Sequence, residues 1–393
     1  MNTALNTGTY AVGMNAGAIH TRVSREWAAR PSDQRFLDLN SLYAMTRQAA
    51  DASTSVAVDT REIRVDTRRD DTSGTLALTL PGCSAAVQPT HWSFGQLCQR
   101  LQVPAGYLRR LPAFLAGVNL QFGLHNAPGE RVQAYLREGD DRVELRAFTG
   151  PDYGRIHDHQ VVDAVRRIAG SGRGEARWKV PGRIEAGGLH DPEAPVTLAS
   201  TTLYGSDRDV FMFLVDDRNP IEIGTTRDGR PDLVFRGFYV WNSEVGAKKV
   251  GMAAFLLRGV CANRILWGVE DFQEISFRHS KNAPERFLQE AVPALERYAN
   301  SGGGNVFAGI QRARRTVVAM NDADRDAFLK RCDFTGAEVK AVLAAVQAEE
   351  HKPAESVWDF VQGITAVART IPHQDERVKL ERRAATLMAK AAA

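Results

Sequence analysis

Near Pro284 the hydrophobic pattern changes its period, and this change constrains the fold more than any other feature of the chain. From about residue 131 to 283, apolar residues come in short runs broken by Gly, Asp and Asn: VQAYLRE, RVELRAF, ARWKVPG, VTLASTTLYGS, DVFMFLVDD, LVFRGFYVWN and KKVGMAAFLLRGV. From Pro284 onwards they recur at helical spacing through DADRDAFLKRC, TGAEVKAVLAAVQAEE, SVWDFVQGITAVARTI and DERVKLERRAATLMAK. Strands gathered in one stretch and helices in another predict an α+β fold: a mixed, mainly antiparallel central sheet with packed helices and a helical C-terminal region. The 393 residues are ample for a buried core and suit two domains. The composition shifts suggest finer boundaries: a flexible arm at 1–35, a small α+β region at 36–130, a central β-rich domain at 131–283 and the helical region at 284–393.

Local signals fill in this outline. DLNSLYAMTRQAADA has Leu39, Leu42, Met45 and Ala49 at helical spacing, and SVAVDT, EIRVDT and TLALTL follow as short strands. VQAYLRE and RVELRAF flank Gly139-Asp140-Asp141 and predict a hairpin. Ser93 with Gln96, and Thr335 with Glu338, have the spacing of capping boxes, and Asp158 is placed to cap a helix carrying Val161, Val162, Val165 and Ile168. FGQLCQRLQVPAGYLRRL has the outline of a helix-turn-helix, with Arg109 and Arg110 on its second helix.

The chemical signals are fewer. Cys83, Cys98, Cys261 and Cys332 have neither ligand nor disulfide spacing, so no metal and no cofactor is expected. The N-terminus lacks a signal-peptide pattern and no apolar run approaches the roughly 20 residues of a membrane span, so no membrane partner and a cytoplasmic location are expected. His157-Asp158-His159, with His190-Asp191, contains ligand-type side chains but not at the spacing of a helical metal motif. SGRGEARWKVPGR could cradle phosphate but lacks the glycine and lysine spacing of a nucleotide-binding loop.

The total charge, 50 Lys and Arg against 47 Asp and Glu, excludes a uniformly basic coat. Between Arg236 and Arg315, however, twelve Lys and Arg face seven acidic residues, and Phe235, Phe238, Tyr239 and Trp241 interleave with Arg236, Lys248 and Lys249. Aromatic faces among cations suit single-stranded nucleic acid, where bases stack and phosphates need neutralising.

Three stretches in order then resemble the phage- and plasmid-like proteins of domain of unknown function 932: LRAFTGPDYGRIHDHQVVDAV, GFYVWNSEVGAKKVGMAAFLLRGVCANRI and SVWDFVQGITAVARTIPHQDERVKLERRAATLM. Arg146, Ala147, Phe148, Tyr153 and Arg155 carry the first match, with Thr149-Gly150 and Gly154 departing from the family's pattern. Asn242, Ser243, Glu244, Gly246, Arg258, Cys261 and Asn263 carry the second, with Arg264 where many relatives have Gly. The resemblance implies a mobile-genetic-element setting and no particular reaction.

The combined expectation is a nucleic-acid-binding protein of a mobile element, a single-stranded DNA binder or annealer in recombination or replication, rather than an enzyme. Its expected contacts are Arg146, Arg155, Arg236, Tyr239, Trp241, Lys248, Lys249, Arg278 and Lys281, with Asn242, Ser243, Glu244 and Gly246 shaping the turn that presents them. A homo-oligomeric ring or filament would supply a continuous groove. One alternative is a metal-dependent nuclease or other phosphoester hydrolase using Asp152, His157, Asp158, His159 or Glu244. Another is a non-catalytic module that binds a protein partner through its helical C-terminus.

Overall fold

Every one of the nine residues of strand Val250–Arg258 is buried, on both faces. In an antiparallel sheet this requires cover on each side, and the fold supplies it. The computed structural model describes residues 25–66, 76–139, 142–184, 190–259, 264–266, 274–302 and 305–392. Residues 1–24 of the expected arm, the loop residues Asp140 and Asp141, and Cys261, Asn263, Gly303 and Gly304 lie outside the described residues.

The fold is α+β. Its large sheet runs, by antiparallel pairing, through Arg35–Phe36, Leu203–Gly205, Val210–Thr225, Pro231–Asn242, Val250–Arg258 and Arg264–Ile265, with Glu274–Phe277 also on Val250–Arg258. One face carries Met212, Leu214, Phe238, Val240, Met252 and Ala254 and packs under helices Leu39–Asp51, Asp158–Ala169 and Val292–Asn300. The other carries Phe211, Phe213, Tyr239, Trp241, Phe255 and Leu257 and is covered by Trp27 and by Val378 and Ala385 of helix Gln374–Ala392. At the far end of these strands, Ile223, Val234, Leu256 and Ile265 join the core of the C-terminal helices.

The second sheet has the order Ser53–Asp59, Arg131–Glu138, Val143–Thr149, Val87–Pro89, Leu78–Thr79, Arg64–Val65, and Val87–Pro89 runs parallel to Val143–Thr149. Helices His91–Arg100 and Ala113–Asn126 fill its core. The hairpin expected at the start of the central domain thus pairs with strands from before residue 130, so the two sheets do not part at 131.

Four local expectations need correction. Residues 25–35 are docked rather than free: Trp27 is fully buried and stacks on Phe211 at 4.8 Å, and Arg30 makes two hydrogen bonds to Asp209 at 2.9 and 3.0 Å. The cap of helix His91–Arg100 is Thr90, whose hydroxyl accepts from the Ser93 amide, and that of Asp158–Ala169 is His157. The second helix of the expected helix-turn-helix, Ala105–Leu108, is one turn long, and Arg109 turns back to donate to His91 O at 2.8 Å, so no recognition helix stands ready for a groove. The Thr335–Glu338 capping box forms as expected.

Candidate functional site

Strand Pro231–Asn242 is followed by a turn in which Gly246, at φ +86°, adopts a conformation that favours glycine. The Gly246 amide donates to Ser243 O at 3.1 Å, and Ser243 Oγ accepts from Ala247 N at 2.8 Å while donating to Arg208 O at 2.7 Å. Ser243 and Gly246 therefore shape the turn. The turn also carries Glu244 into the space between the two sheets.

There Glu244 meets a guanidinium from 98 positions earlier. Arg146, on the inner hairpin strand, donates to Glu244 Oε1 at 2.5 Å, to Ser53 Oγ at 3.3 Å and to Asp207 O at 3.1 Å. Glu244 Oε2 accepts from the Asp158 amide at 3.1 Å, at the start of helix Asp158–Ala169, and faces His157 Nδ1 at 3.3 Å. A carboxylate at a helix N-terminus is favoured by the exposed amides and the helix dipole. Tyr135 Oη lies 3.4 Å from the same histidine nitrogen. Asn242 donates to Ile156 O at 2.8 Å and to Asp158 Oδ1 at 2.7 Å. Arg155 lies over the Tyr135 ring, 3.9 Å from its centre, and donates to Glu244 O. Tyr153 donates to Ser243 O at 3.2 Å and stacks on His279 at 5.0 Å.

The two acids in this cluster are driven apart. Burial alone would raise the Glu244 carboxyl, but the hydrogen bond from His157 and the charge of Arg146 outweigh it and bring it down to about 2. Asp158 moves the opposite way, raised by complete burial and then by the charge of Glu244. Burial also lowers His279, to about 4, and lowers His159. The two acids are thus shifted in opposite directions, a split that marks many functional sites and also serves purely structural ones.

His157 is the cluster's opening to solvent, with 34% of its side chain exposed against 2% for Glu244. In the tautomer with the proton on Nδ1, the ring would donate to Glu244, which would orient it and leave Nε2 as the acceptor. The histidines do not converge on an ion. His159 stacks beside His157 at 5.6 Å, with Arg47 3.5 Å from its Nε2, while His190 packs on Phe235. Among the described residues no group of three His, Cys, Asp or Glu side chains is placed to hold a metal. Asp152 is exposed and outside the cluster's hydrogen bonds.

Four of the nine expected contacts are buried and cannot meet a ligand from solvent: Arg146, Arg236, Tyr239 and Trp241 are 2%, 3%, 0% and 4% exposed. Strand Pro231–Asn242 is central and covered on both faces, so its alternating aromatics and cation face two cores. Arg236 donates to Tyr298 O at 2.9 Å and Ser301 O at 2.7 Å, and Tyr239 and Trp241 stack on each other at 5.5 Å. Lys248 pairs with Glu26 and lies over Trp27. The basic loop SGRGEARWKVPGR is also committed internally, through Arg177 to Asp216 and Lys179 to Asp217.

Lys249, Arg278 and Lys281 remain exposed, without an ion-pair partner among the described residues. The strand register explains their proximity: Val250 pairs with Phe277, and one further step sets Lys249 opposite Arg278. The Gly154 amide donates to His279 O at 3.2 Å, which ties this edge to the loop carrying Arg155 and His157. Sequence reasoning missed Tyr135, whose signal was only its place in a hairpin strand opposite Ala147. No helix among the described residues is long and apolar enough to cross a membrane. Comparison of the chain with protein-family models, curated proteins and solved structures finds no match.

Proposed function

We propose that the protein binds nucleic acid, single-stranded DNA of a mobile genetic element, through phosphate contacts along the rim formed by Lys249, Arg278 and Lys281 beside Arg155 and His157. The observation that carries this reading is the unbalanced pair at the sheet end. Like charges opposite one another on neighbouring strands destabilise a sheet, and an incoming phosphate removes that repulsion. The stacking half of the sequence expectation is withdrawn, since Tyr239 and Trp241 are enclosed; the rim offers charge rather than a base-stacking platform. Kinship with the family of domain of unknown function 932 and an annealing role belong to the same proposal. So does assembly into a ring or filament, which would repeat the rim along a strand.

The test is a salt titration of binding to labelled single- and double-stranded DNA. Replacing Lys249, Arg278 and Lys281 by Ala should flatten the dependence of log affinity on log salt by about two to three, near 0.7 to 0.9 per lost phosphate contact. An unchanged slope, or no retention by the wild type at low salt, sinks the reading.

One observation favours a second reading, a phosphoester hydrolase: the half-exposed His157 is oriented by an ionised, buried Glu244 with Arg155 alongside. His157 Nε2 would take the proton of an attacking water, and Arg155 would hold the phosphate. Cleavage of the same DNA probes, with and without divalent metal, separates the two. Cleavage lost in His157→Gln while binding persists favours the hydrolase, and retention without cleavage favours the binder.

A further inference from the structure

Helix Ala113–Asn126 is apolar on two sides, and the proposed function uses neither. Its inner side, with Ala116, Leu120 and Leu124, belongs to the core of the second sheet. A Cβ at Gly117 would come within 2.5 Å of Asp66 O, so the helix is seated closely and cannot roll to hide its outer side. There Leu115, Val118 and Phe122 stand exposed, Phe122 at 70%, and Tyr107 is exposed shortly before the helix. Their spacing of three and then four residues aligns Leu115, Val118 and Phe122 in one stripe.

The chain does little to make this stripe polar. The helix has no Asp, Glu, Lys or Arg. Its two outer asparagines turn their amides back onto the helix: Asn119 donates to Leu115 O and Asn126 to Phe122 O, each at 2.8 Å. A surface helix ordinarily carries charged or polar groups on the side that meets water, and a contiguous exposed apolar patch marks a contact surface.

We infer that this stripe is the contact surface for a second copy of the chain, packed antiparallel about a twofold axis near Val118. A spacing of three and four residues suits the seam of two packed helices. With the axis at Val118, the two valines meet at the centre and Leu115 of each copy faces Phe122 of the other, so apolar meets apolar along the seam. Charge selects the same arrangement. Arg110 is exposed before the helix and Glu130 is exposed after it, so an antiparallel copy brings opposite signs to each end, where a parallel one would bring like signs. The seam is about 21 Å long for 14 residues and falls short of the roughly 800 Å² a side of a tight complex, so the dimer should dissociate in roughly the micromolar range. A contact of this symmetry closes at two copies, and a ring or filament would need a further surface. The stripe shares no residue with the rim, so either proposal can fail without the other.

The experiment is analytical ultracentrifugation of the full chain over a wide range of protein concentration, without nucleic acid. A mass that rises from one chain to two is expected. Val118→Glu sets two carboxylates face to face and Val118→Lys two ammonium groups, so each alone should weaken the dimer at least about tenfold, and an equimolar mixture of the two should recover it. Because Val118 is exposed, both variants should keep the wild-type circular dichroism and unfolding temperature; Phe122→Gln serves should either not fold. Leu288→Glu, at an exposed apolar site elsewhere, and the rim variant lacking Lys249, Arg278 and Lys281 should keep the wild-type midpoint. Vesicles of anionic lipid test the competing occupant of an apolar helix face. A mass that stays at one chain, with or without vesicle binding, a dimer equally tight in the folded Val118 or Phe122 variants, or a mixture no tighter than its parts overturns the inference.

Discussion

The two buried ion-pair clusters, Glu244 with Arg146 and Glu381 with Arg264 and Arg377, each join a glutamate to an arginine from a distant part of the chain and differ in their access to solvent. Glu244 has one guanidinium, one backbone amide and one histidine on its carboxylate oxygens, its charge and burial push the neighbouring Asp158 carboxyl up, and the cluster opens to solvent through His157. Glu381 has two guanidiniums and the cluster is fully enclosed by chain. A cluster with such an opening can sit at a site edge and act on what arrives there. An enclosed one has no such opening, and its pairing fixes the last helix against the edge of the large sheet, because breaking a buried pair leaves a costly uncompensated charge.

The comparison breaks most sharply at Glu381. Glu381→Gln would leave both guanidiniums without their carboxylate and should cost about 5 kcal/mol in urea unfolding, the upper end for breaking a buried pair. A loss below about 1 kcal/mol would mean that the two arginines are not held as described. Trp27→Ala comes next, at about 4 kcal/mol, since it empties a fully buried stack against Phe211 in the cover of the same face. If residues 25–35 were a free arm instead, this substitution would change nothing.

At the cluster open to solvent, Glu244→Gln should cost about 3 kcal/mol at neutral pH, from a carboxyl moved from 4.5 to about 2. The sign follows from the depressed value: the contribution is complete above about pH 4.5 and is lost as pH falls through about 2. Asp158 acts in the opposite sense. Its raised carboxyl keeps a proton that the unfolded chain gives up, so its penalty grows as pH rises above the ordinary 3.8. Asp158→Asn, which cannot ionise, should therefore match or exceed wild-type stability at pH 7 and flatten that slope. Measuring unfolding free energy against pH for the two variants separates the partners; equal losses would contradict the opposite shifts of the two acids. The smallest effect belongs to the rim: the Lys249, Arg278 and Lys281 replacements should shift stability by no more than about 0.5 kcal/mol, because these side chains are exposed and unpaired.

Much of the fold was legible in the chain. The hairpin, the long strands DVFMFLVDD and LVFRGFYVWN, helix Leu39–Asp51 and the C-terminal helices stand where periodicity puts them, because each follows from local spacing. The nucleic-acid surface was legible only in part. Lys249, Arg278 and Lys281 are on the surface, but Arg236, Tyr239 and Trp241 are not, although all were read from one dense stretch. The short segment ARWKVPG forms only one bridge, between Lys179 and Val215, since its polar side chains are spent on Asp216 and Asp217. The Asn-Ser-Glu-x-Gly turn was visible as a turn, whereas the destination of Glu244 was not.

The sequence by itself therefore determined which segments are strands, which are helices, and which side chains share a face, since these depend on spacings of two and of three to four residues. Only the tertiary structure decided which faces meet water. Alternation places Tyr239 and Trp241 on one side of a strand, but Trp27 from one end of the chain and helix Gln374–Ala392 from the other decide that this side is dry. The same holds for Glu244, whose state is set by Arg146 and by the start of a helix 86 residues earlier. Burial and charge balance depend on groups brought together by folding, and no local pattern in the chain carries them.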